Sequence, residues 1–177
     1  MTSLPTDPCS GQADPATAKN TPSLRKVALA WSATDREPGT LRVAFASRDR
    51  THVDQHFGAA EGFVLYAVDA ERARLAGVLE FAPESMDGNE SKLAQKIEAL
   101  KGCAAVYCLA VGGSAVRQLL AADIQPMRLD AQSAIEPLLV SLRRAISDGG
   151  VHWIERRINR DDAEDRFERM AAEGWDE

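Results

Sequence analysis

The chain has 177 residues, is 45% hydrophobic and 27% charged, and carries a net charge of −6. That is enough apolar material for one ordinary domain with extensions, while the lack of a basic stripe argues against binding to a phosphate backbone. No apolar run is long enough to span a bilayer, and three cysteines without a C-x-x-C pair exclude a disulfide scaffold and a four-cysteine zinc site.

Residues 1–40 are rich in Pro, Thr, Ser, Asp and Ala and read as a mostly disordered leader. It holds one short apolar segment, Lys26–Ser32, either an extra strand or a docking peptide. No basic start followed by a long apolar core is visible, so a cytoplasmic location is expected. From Leu41 the pattern becomes regular. Leu41–Ser47 alternates apolar and small residues as a strand does, and Gly62–Val68 is a near-continuous β-prone run. Arg74–Phe81 is its expected hairpin partner. A turn over Asp87–Glu90 precedes a helix in which Leu93, Ile97 and Leu100 recur at helical spacing. Ala104–Val111 is apolar on both faces, as a central strand should be. Gly112-Gly113-Ser114 then turns into a second helix, Ile124–Leu129 gives a short strand, and Ser133–Ile146 a third helix with Pro137 in its first turn. This order predicts an α/β domain over residues 41–150, a mixed sheet with flanking helices. Residues 151–177 carry nine acidic and five basic groups and form an acidic tail, amphipathic and helical or partly disordered, with Ile154, Ile158, Phe167 and Met170 as its apolar positions.

The polar loop between the first two core strands holds the most chemistry. His52 and His56 are four residues apart, with Asp54 between them. His56 is the stronger candidate ligand, because it precedes Phe57-Gly58 and glycine lets a ligand approach the backbone. Asp54 is a candidate to orient an imidazole, or else an ordinary loop-capping carboxylate. Arg48 and Arg50 are candidate contacts for a polyanion. Gly112, Gly113 and Ser114 sit at a strand-to-helix turn, where free N–H groups and the helix dipole favour an anion. Cys103 and Cys108 flank or enter the buried strand and, five apart, should point to opposite faces if both lie within it. Cys103, at the start of the strand, is the one expected to have more exposure.

The segment VAFASRDRTHVDQHFGAAEGFVLYAV closely resembles the NifX-type domain of nitrogenase cofactor biosynthesis, a group that includes NifY, NafY and the C-terminal domain of NifB. A further stretch, CAAVYCLAVGGSAVRQLLAADIQPMRL, resembles the same domain, and the likeness covers about residues 41–147. The resemblance implies a ribonuclease-H-like mixed five-stranded sheet without nuclease activity. It implies a non-enzymatic carrier of an iron–sulfur precursor of the iron–molybdenum cofactor, or of the cofactor itself, bound transiently. It assigns the metal contact to His56, the histidine before Phe-Gly. The partners implied are NifB, the NifE–NifN scaffold and apo-nitrogenase; the sequence does not fix the oligomeric state, and a monomer is the expectation. The competing expectation is an interaction module that stabilises apo-nitrogenase or the scaffold without touching the cluster.

Overall fold

The computed structural model describes residues 25–27, 39–81 and 90–172. Its strands are Arg25–Val27 (β1), Leu41–Ala46 (β2), His52–Val53 (β3), Gly62–Val68 (β4), Ala73–Glu80 (β5), Ala105–Cys108 (β6), Gln125–Arg128 (β7) and Ser133–Ala134 (β8). Its helices are Glu90–Ala99 (α1), Gly113–Ala121 (α2), Ile135–Asp148 (α3) and His152–Ala172 (α4). The main sheet has the order β1-β5-β4-β2-β6-β7. β2 runs antiparallel to β4 and parallel to β6, and β7 continues the parallel half. The sheet is therefore mixed, with five core strands and β1 added at the β5 edge. Most of the leader, and the turn expected over residues 87–89, lie outside the described residues.

Strand alternation decides the two layers. Ala44 and Ala46 of β2, Phe63 and Leu65 of β4, and Val106 and Cys108 of β6 face one core with Ile97 and Leu119 from α1 and α2. Val43 and Phe45, Val64 and Val68, and Ala105 and Tyr107 face the other, with Leu139, Leu142 and Ile154 from α3 and α4. In this second core the Phe45 ring stacks on Tyr107 at 5.1 Å and meets Tyr66 edge-on. Spacing between strands is tight at Gly62: a Cβ there would stand 3.0 Å from the Ser47 carbonyl oxygen, so a side chain would need the backbone to give by a few tenths of an ångström.

The tail departs from the expected single apolar stripe. Ile154 is buried and Ile158 packs on the second core, whereas Phe167 and Met170 are exposed. At about 100° per residue the two pairs fall on nearly opposite sides of α4. The first half of the helix is thus part of the fold.

Candidate functional site

Because β2 and β6 are parallel, their carboxyl ends open on one rim of the sheet, where open α/β sheets commonly bind ligands. The loop after β2 and the segment after β6 are stitched together there. Phe57 N–H donates to the Ala110 carbonyl at 2.8 Å, and Leu109 N–H to the Gln55 carbonyl at 3.0 Å. Gln55 is buried, and its Oε1 accepts the N–H groups of Glu61 at 3.1 Å and Gly62 at 3.4 Å. Phe57 is fully buried against Phe63, ring centroids 5.6 Å apart. His56 stands between these two anchors and is exposed. Its imidazole has no hydrogen-bond partner among the described residues. Residues 55 and 57 are buried on either side of it, which leaves residue 56 facing outward.

A buried lysine supports the same loop. Lys96, 2% exposed, donates to the Gly58 carbonyl and lies over the Phe81 ring, 5.8 Å from its centroid. Sequence reasoning missed it, although a signal exists: Lys96 interrupts the apolar stripe of Leu93, Ile97 and Leu100 at a position that faces the core. Gln55 and Phe57 were also missed as anchors.

His52 is placed differently. Its Nδ1 lies 2.8 Å from Asp49 Oδ2 and 2.9 Å from Thr51 Oγ1. Asp49 Oδ1 also accepts the N–H groups of Thr51 at 2.8 Å and His52 at 2.7 Å. These bonds, led by the one from Thr51 N–H, hold the Asp49 carboxyl well below the usual carboxylate range. The carboxylate that meets an imidazole is therefore Asp49, not Asp54. Asp54 accepts the Arg48 N–H at 2.9 Å and takes the loop-capping role. β3 carries His52 toward α3 by pairing with β8, and Val53 enters the second core while Phe57 enters the first. The four-residue spacing of the histidines thus reflects no helical face.

Arg48 and Arg50 are half-exposed and each meets an acid: Arg48 with Glu61 at 2.8 Å, Arg50 with Glu80 at 2.5 Å. The four side chains edge a cleft of about 190 Å³. The expected free pair of cations is therefore compensated locally. Exposed pairs of this kind hold by only about 0–1 kcal/mol, so an anion of higher charge can compete for them.

Gly112, Gly113 and Ser114 lie directly beyond the stitched segment, all exposed, with Gly112 at the N-cap of α2. Ser114 Oγ accepts a bond from Gln118 Nε2 at 3.2 Å. A Cβ added at Gly58 or Gly112 would meet nothing within 4 Å. Both glycines border open space, and neither has a positive φ that would demand glycine.

Cys103 is a correction. It is 2% exposed, and burial pushes its thiol up to about 12. It precedes β6, whereas the rim follows it, so roughly 20 Å of extended chain separates Cys103 from Ala110. A protonated, enclosed thiol is a poor ligand. Cys103 and Cys108 also share one core rather than opposite faces, because β6 begins only at Ala105 and strand alternation does not reach back to residue 103. Among the described residues, no three His, Cys, Asp or Glu side chains group as a metal cage. No helix among them is long and apolar enough to cross a membrane.

Comparison with known proteins gives a consistent picture. Residues 39–145 match the family model described as dinitrogenase iron-molybdenum cofactor. The chain is 49% identical to Protein NifX of Azotobacter vinelandii over 144 residues, covering 80% of this chain and 91% of that one. It is 37% identical to Protein NifX of Klebsiella pneumoniae, covering 76% and 83%. A shorter match, 33% identical over 55% of this chain and 20% of the other, is to the FeMo cofactor biosynthesis protein NifB of Azotobacter vinelandii.

Proposed function

Since the chain belongs to the NifX family and so has a role in iron–molybdenum cofactor biosynthesis, we propose that it is a non-catalytic carrier of an iron–sulfur precursor of that cofactor. The observation that carries this reading is the exposed, unpartnered imidazole of His56, fixed between the buried anchors Gln55 and Phe57. A neutral imidazole is a good metal ligand, and rigid presentation removes most of the ordering cost of binding. The cargo sits on the rim with His56 as its side-chain ligand. The N–H groups at Gly112–Ser114 and the open backbone at Gly58 receive its anionic surface. Arg48 and Arg50 join only by leaving Glu61 and Glu80. One imidazole with weak surrounding contacts suits transfer, because a cage of thiolates would hold the cluster too firmly.

The receiving partners in this reading are the NifE–NifN scaffold and apo-nitrogenase, with NifB as the source. The order of the five core strands supports the ribonuclease-H-like description of the domain. The runner-up, an interaction module that never touches cluster, draws on the exposed Phe167 and Met170. Anaerobic titration of the purified chain with the isolated iron–sulfur precursor, followed by absorbance, separates the two. His56→Ala is expected to weaken binding by about tenfold or more and to change stability by no more than about 0.5 kcal/mol. Unchanged affinity in that variant removes His56 from the site; no binding by the parent chain leaves the interaction module.

A further inference from the structure

A cavity of about 340 Å³ lies away from the rim. It opens beside Ala104 and Gln125, at the amino ends of β6 and β7, and so at the opposite pole of the sheet. One wall is a stripe of α4: Trp153, Arg156, Arg157 and Arg160, at the i, i+3, i+4, i+7 spacing of one helix face. On a helix packed over a core that stripe is ordinarily apolar. Here it carries three guanidinium groups, and the one acid in the lining is Asp123.

The charges are unevenly satisfied. Asp123 Oδ2 is shared between Arg157 Nη1, at 2.6 Å, and Arg160 Nη2. Arg157 is 14% exposed, also meets Asp161 at 3.1 Å and reaches the Gly102 carbonyl, so it is the strut that fastens α4. Arg160 Nε is buried without a hydrogen-bond partner, and Glu164 Oε1 lies 3.9 Å from it. Arg156 is exposed and pairs with no carboxylate among the described residues. Asp161 and Glu164 offset part of this charge from outside the lining. Trp153 and the half-exposed Leu120 add apolar surface. Pockets of roughly 300–1,000 Å³ with an apolar wall and a few convergent polar groups are the usual form of a small-molecule site.

We propose that this cavity is a second binding site, separate from the rim, for a small organic polyanion: a phosphate ester or polycarboxylate whose apolar part rests on Trp153 and Leu120. Arg156 binds the anionic groups, and the Arg160 guanidinium, held beside Asp123, adds its positive charge. Arg157 stays engaged with Asp123 and the backbone.

The test uses the full chain with Trp31→Phe and Trp175→Phe, so that Trp153 is the sole indole. Phenyl phosphate, tricarballylate and acetate are titrated at low salt while Trp153 fluorescence is followed. Saturable change is expected with phenyl phosphate or tricarballylate, and the tighter of the two identifies phosphate or carboxylate as the preferred group; acetate binds weakly. Arg156→Gln with Arg160→Gln is expected to lower affinity by about tenfold or more, and Leu120→Glu to do the same by placing an acid at the mouth. Arg156→Gln alone, at an exposed position with no structural bond, is expected to lose at least about threefold and guards against a double variant that loosens α4. His56→Ala should leave the affinity within about twofold, as for independent sites. The proposal is overturned if neither polyanion saturates, if Arg156→Gln binds like the parent, or if His56→Ala abolishes binding.

Discussion

His56 and His52 carry the same side chain and differ in what surrounds them. His52 is tied to Asp49 and Thr51 within a tight turn, whereas His56 is held only through its neighbours. The residue types of that loop were legible in the sequence, and His56 stood out by preceding Phe-Gly. Which carboxylate meets an imidazole was not legible, because Asp49 and Asp54 both lie within three residues of His52 along the chain and only the turn chooses between them. Cysteine burial was half legible: the apolar run enclosed Cys108, but nothing local showed that Cys103 would also be enclosed. The two thiols carry a pH prediction. Burial raises Cys108 to about 11 and Cys103 to about 12, from an ordinary value of 9.0. A group whose value rises on folding supports the native state below its unfolded value and withdraws that support as pH climbs toward the folded one. Native protein should therefore react slowly with iodoacetamide at both thiols at pH 8, unfolded protein quickly. Denaturant midpoints should decline from pH 9 upward, less so in a Cys103→Ala/Cys108→Ala variant. Rapid alkylation of both thiols in the native chain would sink the argument.

Elements were read best where one periodicity ran unbroken. Gly62–Val68 is a strand over the full expected span, and α1, α2 and α3 begin and end near their expected positions. β3 and β8 were invisible: each is two residues long, too short for any alternation to register, and they exist only through each other. The tail was misread for a different reason. Its four apolar residues look like one stripe when counted by spacing, but helical rotation divides them between two sides. Ile154, Ile158, Arg157 and Arg160 hold the first half of α4 to the domain, so a deletion starting at residue 155 would remove structural contacts. Deleting residues 163–177 instead is expected to leave the thermal midpoint and precursor affinity nearly unchanged while slowing delivery to the NifE–NifN scaffold, measured by transfer in a two-protein assay. Unimpaired delivery would show that the distal half of α4, with Phe167 and Met170, has no docking role.

At the scale of the whole molecule, the layered mixed sheet was legible because βαβ connections leave few alternatives. Its outermost strand was not: Lys26–Ser32 left open whether a strand or a docking peptide would form, and Arg25–Val27 pairs with Val78–Glu80 of β5. That pairing bears on solution behaviour. An uncovered sheet edge is a template for another chain, and a very short strand paired along that edge limits such joining. Removing residues 1–38 would bare the Val78–Glu80 end of β5, and two copies could then extend one sheet edge to edge. Sedimentation of that truncated chain over a range of concentrations should reveal a reversible dimer that the full chain does not form. An identical sedimentation profile would mean that β5 resists self-pairing without its cover, through its own bulged register against β4. On this view the leader's three paired residues guard the chain against its own copies.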